Sequence, residues 1–388
     1  MKKQAFFLTL LSVLLLTACS GQNNPVSQDS NEPAPQSSEA GPEVEDLGTK
    51  EIHTELQKGY LEDDWTAVKN YVPYVSAETS DKSKLLGDVS QPLPIELEFD
   101  EVGDSASYYV EISKYVDFKE SKIIETEEKS YNFYNSEIGQ EYYFRAATSE
   151  EELASAKIRK FDVDATAPRN LRVDGVINFR DVGGWETTLV PNAVINQGLY
   201  YRCAQFNSIT ADGKAALKEL GIKLDIDMRD RPPATSPATS DDWPIEILNG
   251  AVASGTENYR WEGKQGSNNG IAQTYKKIFE AIAEADEKPI ALHCTHGADR
   301  TGIVSFFLLA LCGVEKEDLG RDYMFTRYAG ERAVWHEDEF DKWVSKTEAL
   351  EGETFAEKTY NHMLNDFEIE ADTLETIREL FVPGYVRP

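Results

Sequence analysis

Between residues 92 and 163, several short runs carry apolar side chains at every second position. The clearest runs are Ile95, Leu97 and Phe99, followed by Tyr108, Val110 and Ile112. Alternation of this kind is typical of strands that bury one face. Shorter runs follow at 123–126, 131–134, 142–146 and 156–163. About five or six short strands at this spacing predict an antiparallel β-sandwich over residues 87–167.

A different pattern begins near residue 289. Residues 289–292 are apolar and typical of a short buried strand, and residues 303–311 are apolar on nearly every side, as in a buried helix. Helical periodicity returns at 315–330 and 361–380. Residues 50–86 show only weak helical periodicity, near 52–60, and we assign them no fold.

The first 19 residues predict an export signal. Lys2 and Lys3 precede an apolar run at 5–16, which is too short to span a bilayer as a helix. The run closes with Leu16-Thr17-Ala18-Cys19. This ending resembles the lipobox of bacterial lipoproteins, which implies cleavage before Cys19 and lipidation of its thiol. We therefore expect a lipid anchor on the bacterial cell membrane, with the chain facing outside the cytoplasm.

Residues 20–49 contain almost no large apolar side chain. Such a segment cannot bury enough surface to offset the entropy of ordering. It is predicted to be a disordered tether.

The net charge of −30 excludes some classes of function. Asp and Glu number 69, against 39 Lys and Arg, in 388 residues. Phosphate neutralisation on nucleic acid and electrostatic docking on anionic lipid both need a basic surface. Four cysteines are too few for a disulfide framework, and the five histidines are not spaced as zinc ligands. We expect no nucleic-acid partner, no metal and no cofactor.

Residues 293–302 carry the candidate chemistry. Because they join a buried strand to a buried helix, backbone N–H groups and the helix dipole point into the loop and favour an anion. Cys294 is the candidate nucleophile, since a thiolate can attack a phosphate ester near neutral pH. Arg300 would pair with phosphate oxygens, and the Thr301 hydroxyl would help the thiolate leave. The other phosphate-binding candidates are Thr295, His296, Gly297, Ala298 and Asp299.

This loop resembles the HC-x5-R-[ST] signature of the cysteine-dependent protein tyrosine phosphatases. Three further segments resemble landmarks of the bacterial tyrosine- and lipid-phosphatase family, in that family's order. Residues 176–184 are similar to its NFRDLGG opening, 198–202 to its G-x-hydrophobic-Tyr-Arg strand, and 220–229 to its LGI-to-DLR strand. The resemblance implies an α/β fold over residues 168–388, with a central, mostly parallel sheet flanked by helices. For Arg180, Asp181 and Arg202, which match family landmarks, we favour a structural ion-pair network under the loop.

The preceding sandwich resembles a fibronectin type III module. Residues 139–146 are similar to the late strand of that module, and Thr166-Ala167-Pro168 to its exit. The resemblance suggests a spacer, or a docking surface for a protein partner.

Several carboxyl groups are candidates for the general acid, which must protonate the leaving oxygen. The resemblance favours Asp299, because this subfamily places a proposed acid at that position. Asp227 and Asp230 are runners-up, followed by Asp241 and Asp242. An alternative role for Asp227 is to orient Arg300 or a substrate group.

Two other residues support the site in this interpretation. Arg229 lies on the same predicted strand as Asp227. The resemblance gives His293 the role of organising the cysteine. His296 either biases the thiolate by its charge or faces solvent. We also hypothesise a reversible disulfide between Cys203 and Cys294 that shields the nucleophile.

One departure bears on the substrate. Many phosphoinositide-hydrolysing relatives carry a lysine where this chain has Ala298, so a multiply phosphorylated lipid is disfavoured. The sequence predicts an exported, lipid-anchored protein tyrosine phosphatase that forms a cysteinyl-phosphate intermediate. Its expected substrate is a phosphotyrosine protein or a small phosphomonoester. The alternatives are a phosphoinositide or inositol phosphate phosphatase, and a non-enzymatic phosphate-binding or surface interaction lipoprotein.

Overall fold

The computed structural model of the chain describes residues 43–62, 90–250, 270–329 and 337–388. The predicted signal peptide, Cys19 and residues 20–42 of the predicted tether lie outside these residues, as do residues 63–89. Among the helices of the described ranges, none has the length and apolar character needed to cross a membrane.

The N-terminal part of the described chain folds into two facing sheets. Their strands are β1 Val44–Lys50, β2 Ile95–Glu98, β3 Tyr108–Ser113, β4 Lys122–Thr126, β5 Ser130–Phe133, β6 Glu141–Ala147 and β7 Ile158–Val163. One sheet has the order β1-β7-β6-β3-β4, and the other pairs β2 with β5. Phe133 of β5 packs against Tyr142 and Phe161 of the larger sheet, with ring centroids 5.2 and 6.3 Å apart.

The alternating runs of the sequence coincide with β2 to β7, whereas β1 lies where a tether was predicted. The prediction of a disordered tether is therefore wrong for residues 44–49. β1 pairs with β7 in parallel, so the two sheets are not wholly antiparallel. Its side chains are mostly exposed, and Glu45 and Asp46 form ion pairs with β7 at 3.2 and 3.3 Å. Because main-chain pairing and charges hold β1, the hydrophobic pattern does not reveal it.

Helix α1, Glu55–Glu62, follows β1. A capping box begins it: the Gln57 N–H donates to the Thr54 hydroxyl at 3.2 Å, and the Thr54 N–H donates to the Gln57 side chain at 2.9 Å. Ile52 and Tyr60 are buried. The weak periodicity near 52–60 therefore corresponds to a short, well-capped helix.

The C-terminal part is built around a six-stranded sheet. Its strands are β8 Arg169–Asn170, β9 Arg180–Asp181, β10 Tyr200–Cys203, β11 Leu224–Asp227, β12 Glu246–Asn249 and β13 Ile290–His293. The order is β12-β11-β13-β10-β9-β8, parallel from β12 to β10 and antiparallel at β9 and β8. The mostly parallel sheet confirms the predicted α/β architecture.

Helices flank this sheet. They are α2 Ala211–Glu219, α3 Gly270–Ile282, α4 Asp299–Leu311, α5 Lys316–Phe325, α6 Glu337–Glu348, α7 Phe355–Asn365 and α8 Ala371–Phe381, with 3-10 turns at Phe206–Ser208 and Thr326–Ala329. A further 3-10 turn, Glu150–Ser155, joins β6 to β7 in the facing sheets. Residues 301–311 of α4 are all buried, since an apolar helix must be covered on every side. That burial fixes the start of α4 at the carboxyl end of β13, the edge where parallel sheets bind ligands.

Candidate active site

The loop between β13 and α4 turns tightly at Gly297. This residue has φ +69°, in the left-handed region that favours glycine. A Cβ there would lie 2.3 Å from the Cys203 carbonyl oxygen and 2.9 Å from Nδ2 of Asn178. Any larger residue would push the loop away from its neighbours, so the close turn depends on glycine.

Cys294 lies at the base of this loop and is 4% exposed. Burial alone would raise the pKa of its thiol. The Thr301 hydroxyl, the Arg300 charge and the N–H groups of His296 and Thr301 outweigh burial, and the pKa is lowered from its ordinary value. The sulfur is therefore prepared to act as a thiolate.

Arg300 is held beside the thiol by the end of the neighbouring strand. Its Nη1 donates to the Met228 carbonyl at 2.9 Å and lies 3.4 Å from Oδ1 of Asp230. Met228 directly follows β11, which is adjacent to β13 in the sheet. The sheet thereby sets the position of the cation over the loop.

Two side chains hold the loop carbonyls. Nδ2 of Asn178 donates to the carbonyls of His296 and Gly297 at 3.0 and 3.2 Å. Nη2 of Arg202 donates to those of Gly297 and Ala298 at 2.9 and 3.3 Å. With their carbonyls bound by these buried donors, the peptides of the loop can present N–H groups to an anion.

A buried ion-pair network supports those donors. Asp322 of α5 accepts from Nε of Arg180 at 2.9 Å and also from Nη1 of Arg202. Burial lowers the pKa of Arg180 to about 10, with the neighbouring Arg202 as the next cause. The pKa of Asp322 is lowered, because the two guanidinium groups outweigh the effect of burial. The predicted network thus includes Arg180 and Arg202, around an aspartate that the sequence analysis missed.

Asp181 belongs to a different set of contacts. Its carboxylate accepts from Arg169 and from the N–H groups of Gly183 and Gly198 at 2.9, 2.9 and 2.7 Å. It therefore orders the turn after β9 rather than the loop.

His293 is fully buried against a second aspartate that the sequence analysis missed. Its Nε2 lies 2.9 Å from Oδ1 of Asp225, and Nδ1 lies 3.0 Å from the Cys294 carbonyl. Burial opposes protonation, but Asp225 outweighs it and the pKa of His293 is raised. Ser236 donates to the other Asp225 oxygen at 2.5 Å. The imidazole is thus placed to fix the backbone of the nucleophile.

The structure separates the candidate acids. Asp299 begins α4 and accepts from the Tyr323 hydroxyl at 2.9 Å. Asp230 has a carboxyl group that is 59% exposed, close to Arg300. Asp227 is fully buried and bound by Arg229 at 2.6 to 2.9 Å, so it is poorly placed to give a proton to a substrate. Asp242 pairs with Lys218 on the surface of α2 at 2.6 Å.

The thiols of Cys203, Cys294 and Cys312 are free and buried. Cys203 belongs to the hydrophobic cluster on one side of the sheet and Cys294 to the cluster on the other. The two thiols are therefore not joined in this structure, and the reversible disulfide stays a prediction. Ala298 is buried as well.

Within the described ranges, no group of His, Cys, Asp and Glu side chains could hold a metal ion. The loop instead combines a low-pKa thiol, a guanidinium and converging N–H groups. This combination can bind a phosphate dianion and attack its phosphorus atom.

The C-terminal part of the chain is similar to known proteins. A family model described as "Tyrosine phosphatase family" matches residues 171–386. A tyrosine-protein phosphatase from Nostoc commune is 30% identical over 145 residues, which are 33% of this chain and 48% of that protein. The chain therefore spans about half the length of the curated relative that it matches.

Two solved structures of TpbA from P. aeruginosa, one of them in complex with pTyr, show a distant similarity. They are 15% and 16% identical to this chain, with TM-scores of 0.27 and 0.26. Each match covers 42% of this chain and 96% of the TpbA chain.

Proposed function

Because this chain belongs to the tyrosine phosphatase family, we propose that it hydrolyses phosphate monoesters, with phosphotyrosine in proteins as the preferred substrate. The observation that carries this proposal is the Cys294 thiol, whose lowered pKa coincides with the Arg300 cation and the loop N–H groups. A thiolate at an anion site is suited to phosphoryl transfer.

In the proposed first step, the Cys294 sulfur attacks phosphorus in line with the ester oxygen. A sulfur–phosphorus bond forms as the phosphorus–oxygen bond breaks, and Asp299 gives its proton to the leaving oxygen. Arg300 and the N–H groups of residues 295–300 bind the equatorial oxygens throughout.

In the second step, water attacks the cysteinyl phosphate. Asp299 removes a proton from the water, the sulfur–phosphorus bond breaks, and inorganic phosphate leaves. The Thr301 hydroxyl stabilises the sulfur as it regains its negative charge, which is the effect that lowers its pKa in the resting protein.

Burial of the nucleophile supports the choice of substrate. Cys294 is 4% exposed, so a phosphate must extend well beyond a peptide backbone to reach the sulfur. The phenyl ring of phosphotyrosine supplies that length, and the short side chain of phosphoserine does not. Ala298 gives no cation for a second phosphate, which favours a substrate with one phosphate group.

We further propose that the chain is an exported lipoprotein, anchored through Cys19. The support is the sequence of the first 19 residues, which has the charges, apolar run and cysteine of such a signal. The two facing sheets would be a fibronectin type III-like module between anchor and enzyme, acting as a spacer or as a docking surface for a protein partner.

The proposed function is tested by phosphate release from four substrates. These are a phosphotyrosine peptide, a phosphoserine peptide, a phosphoinositide and inositol hexakisphosphate, each compared with Cys294→Ser. We expect the phosphotyrosine peptide to be hydrolysed fastest and Cys294→Ser to be inactive. Faster release from an inositol substrate would replace the substrate class and keep the chemistry. If none of the four substrates releases phosphate under reducing conditions, the proposed phosphatase activity is refuted.

The proposed lipid anchor at Cys19 is tested by a separate measurement. Metabolic labelling with a fatty acid should mark the wild-type chain and leave Cys19→Ala unlabelled. An unlabelled wild-type chain in a host that processes lipoproteins would refute the anchor.

A further inference from the structure

Helix α1 precedes the family-matched residues 171–386, yet it packs against the helix that supports the active site. We propose that α1 helps to hold the active-site groups in place, and that Tyr60 is a positioning residue that acts through α5. The inference rests on the proposed function for its choice of substrate. A second measurement, the alkylation of the Cys294 thiol, needs no substrate.

The contacts between α1 and α5 are buried and reciprocal. Tyr60 is fully buried, and its hydroxyl donates to the Arg321 carbonyl at 3.0 Å. Its ring lies edge-on to Phe325 and Tyr328, with centroids 5.9 and 5.5 Å apart. The Tyr328 hydroxyl donates in return to the Leu56 carbonyl at 3.4 Å. These contacts fix one side of α5 and the turn that follows it.

The residues next to Arg321 reach the active site. Asp322 binds Arg202, which in turn binds the carbonyls of Gly297 and Ala298. Tyr323 donates to Asp299, the favoured general acid, at 2.9 Å. These are consecutive residues of α5. Arg321 contacts α1, Asp322 binds the arginine that holds the loop at 293–302, and Tyr323 binds the proposed general acid.

A second route runs through Phe325. Its ring contacts both groups: the centroid lies 5.9 Å from that of Tyr60 and 5.9 Å from the Arg180 guanidinium. Nη1 of Arg180 donates to Oδ1 of Asn178 at 2.5 Å, and Asn178 holds the carbonyls of His296 and Gly297. Loss of the Tyr60 ring would therefore free Phe325 to move away from the arginine.

Both routes lead to groups whose positions determine the rate. A displacement of about 1 Å at a reacting group can cost on the order of a hundredfold in rate. A shift of α5 would move the Arg202 and Asn178 donors together with the hydroxyl that orients Asp299. We therefore expect α1 to affect both the affinity of the loop for phosphate and proton transfer.

The test compares Tyr60→Ala with Tyr108→Ala in the full-length chain purified in detergent. Tyr108 is a matched control, because it is a buried tyrosine whose ring contacts Phe99 within the facing sheets. Three quantities are measured well below the melting temperature: kcat/KM with p-nitrophenyl phosphate, inhibition by inorganic phosphate, and the pH dependence of Cys294 alkylation by iodoacetamide. Cys294→Ser gives the alkylation background.

We expect Tyr60→Ala to lower kcat/KM about tenfold, to weaken phosphate inhibition and to shift alkylation to higher pH. Tyr108→Ala should remain within about twofold of wild type in all three quantities. Equal values in the two variants would overturn the proposal. A wild-type chain without phosphatase activity would refute the proposed function alone, since alkylation and its protection by phosphate would still report on α1.

If Tyr60→Ala does not fold, the double variant Tyr60→Phe, Tyr328→Phe decides the question. It keeps both rings and removes the hydroxyl groups that form the two hydrogen bonds between α1 and the α5 region. We expect a loss of about threefold in kcat/KM, since two hydrogen bonds of ordinary strength are removed. An unchanged kcat/KM and alkylation profile would overturn the proposal.

Discussion

At the scale of single residues, opposed effects meet at the Cys294 sulfur. Burial raises the pKa of the thiol, and the Thr301 hydroxyl is the first of the groups that lower it. The hydroxyl is buried and has no oxygen or nitrogen partner among the described residues. Its polarity is therefore available to the sulfur.

Removing that hydroxyl should change the pH profile. A lowered pKa means that kcat/KM rises with pH and reaches its plateau below the ordinary thiol pKa. In Thr301→Ala the pKa of Cys294 rises towards its ordinary value, so the acid limb should move to higher pH. Thr301→Ser keeps the hydroxyl and should keep the limb in place. If the acid side of the kcat/KM profile does not move in Thr301→Ala, the Thr301 hydroxyl does not lower the pKa of Cys294.

The two accessible carboxyl groups near Arg300 can be told apart by substitution. We expect Asp299→Asn to lower kcat by about a hundredfold with phenyl phosphate, the magnitude of general acid catalysis. The loss should be smaller with p-nitrophenyl phosphate, whose leaving group needs little protonation. Asp230→Asn should lose less than about threefold with either substrate. The opposite result would assign proton transfer to Asp230.

The sequence predicts the residues of the loop better than the residues that support it. Cys294, Arg300 and Thr301 lie within eight positions, so their spacing alone brings them together. Asp225, Asp322 and Tyr323 come from other elements, and neither charge nor periodicity distinguishes them locally. Their roles follow only from the strand order and from the packing of α5.

At the scale of elements, the loop at residues 293–302 depends on charged side chains that are buried next to it. Arg180, Arg202 and Asp322 are each at most 2% exposed, and the single carboxylate binds both guanidinium groups. Such a group is costly to disrupt, because the remaining charges keep their desolvation penalty.

Asp322→Asn should therefore destabilise the chain strongly. We expect a loss of about 3–5 kcal/mol in the free energy of unfolding, measured by urea denaturation of the full-length chain. The control is Asp242→Asn, which breaks an exposed ion pair with Lys218 and should change the free energy of unfolding far less than Asp322→Asn does. Similar losses in both variants would contradict the structural role of Asp322.

Elements were predictable where burial produced a periodic pattern. β2, β6 and β7 alternate because each buries one face, and residues 303–311 of α4 are almost all apolar because this part of the helix is covered on all sides. β1 and α1 lack so clear a signal. β1 relies on main-chain pairing, and α1 on capping and a few buried residues, so hydrophobic periodicity understates both.

At the scale of the whole molecule, the negative net charge opposes the approach of an anion to the active site. The chain carries a net charge of −30, while the proposed substrate is an anion that must reach Arg300 and the loop N–H groups. Long-range repulsion slows encounter at low ionic strength, and salt screens it over about 10 Å at 0.1 M.

We therefore expect kcat/KM for a phosphotyrosine peptide to rise between very low and moderate salt. The control is alkylation of Cys294 by anionic iodoacetate and neutral iodoacetamide. Salt should raise the rate with iodoacetate relative to the rate with iodoacetamide. A steady fall in kcat/KM with added salt would show that local attraction outweighs the net charge.

The parallel pairing of β1 with β7 has a mechanical consequence. Since Lys50 lies beside Val163, the chain leaves the facing sheets at two adjacent places, once towards α1 and once towards the six-stranded sheet. These two segments contact each other: the Asp164 N–H donates to the Lys50 carbonyl at 2.9 Å, and the His53 ring lies 3.0 Å from the Pro168 carbonyl. A single linker would allow the facing sheets to rotate relative to the six-stranded sheet, whereas two segments that are hydrogen-bonded to each other resist this rotation. Cutting the chain at the start of the six-stranded sheet would sever one segment and discard the other, together with α1.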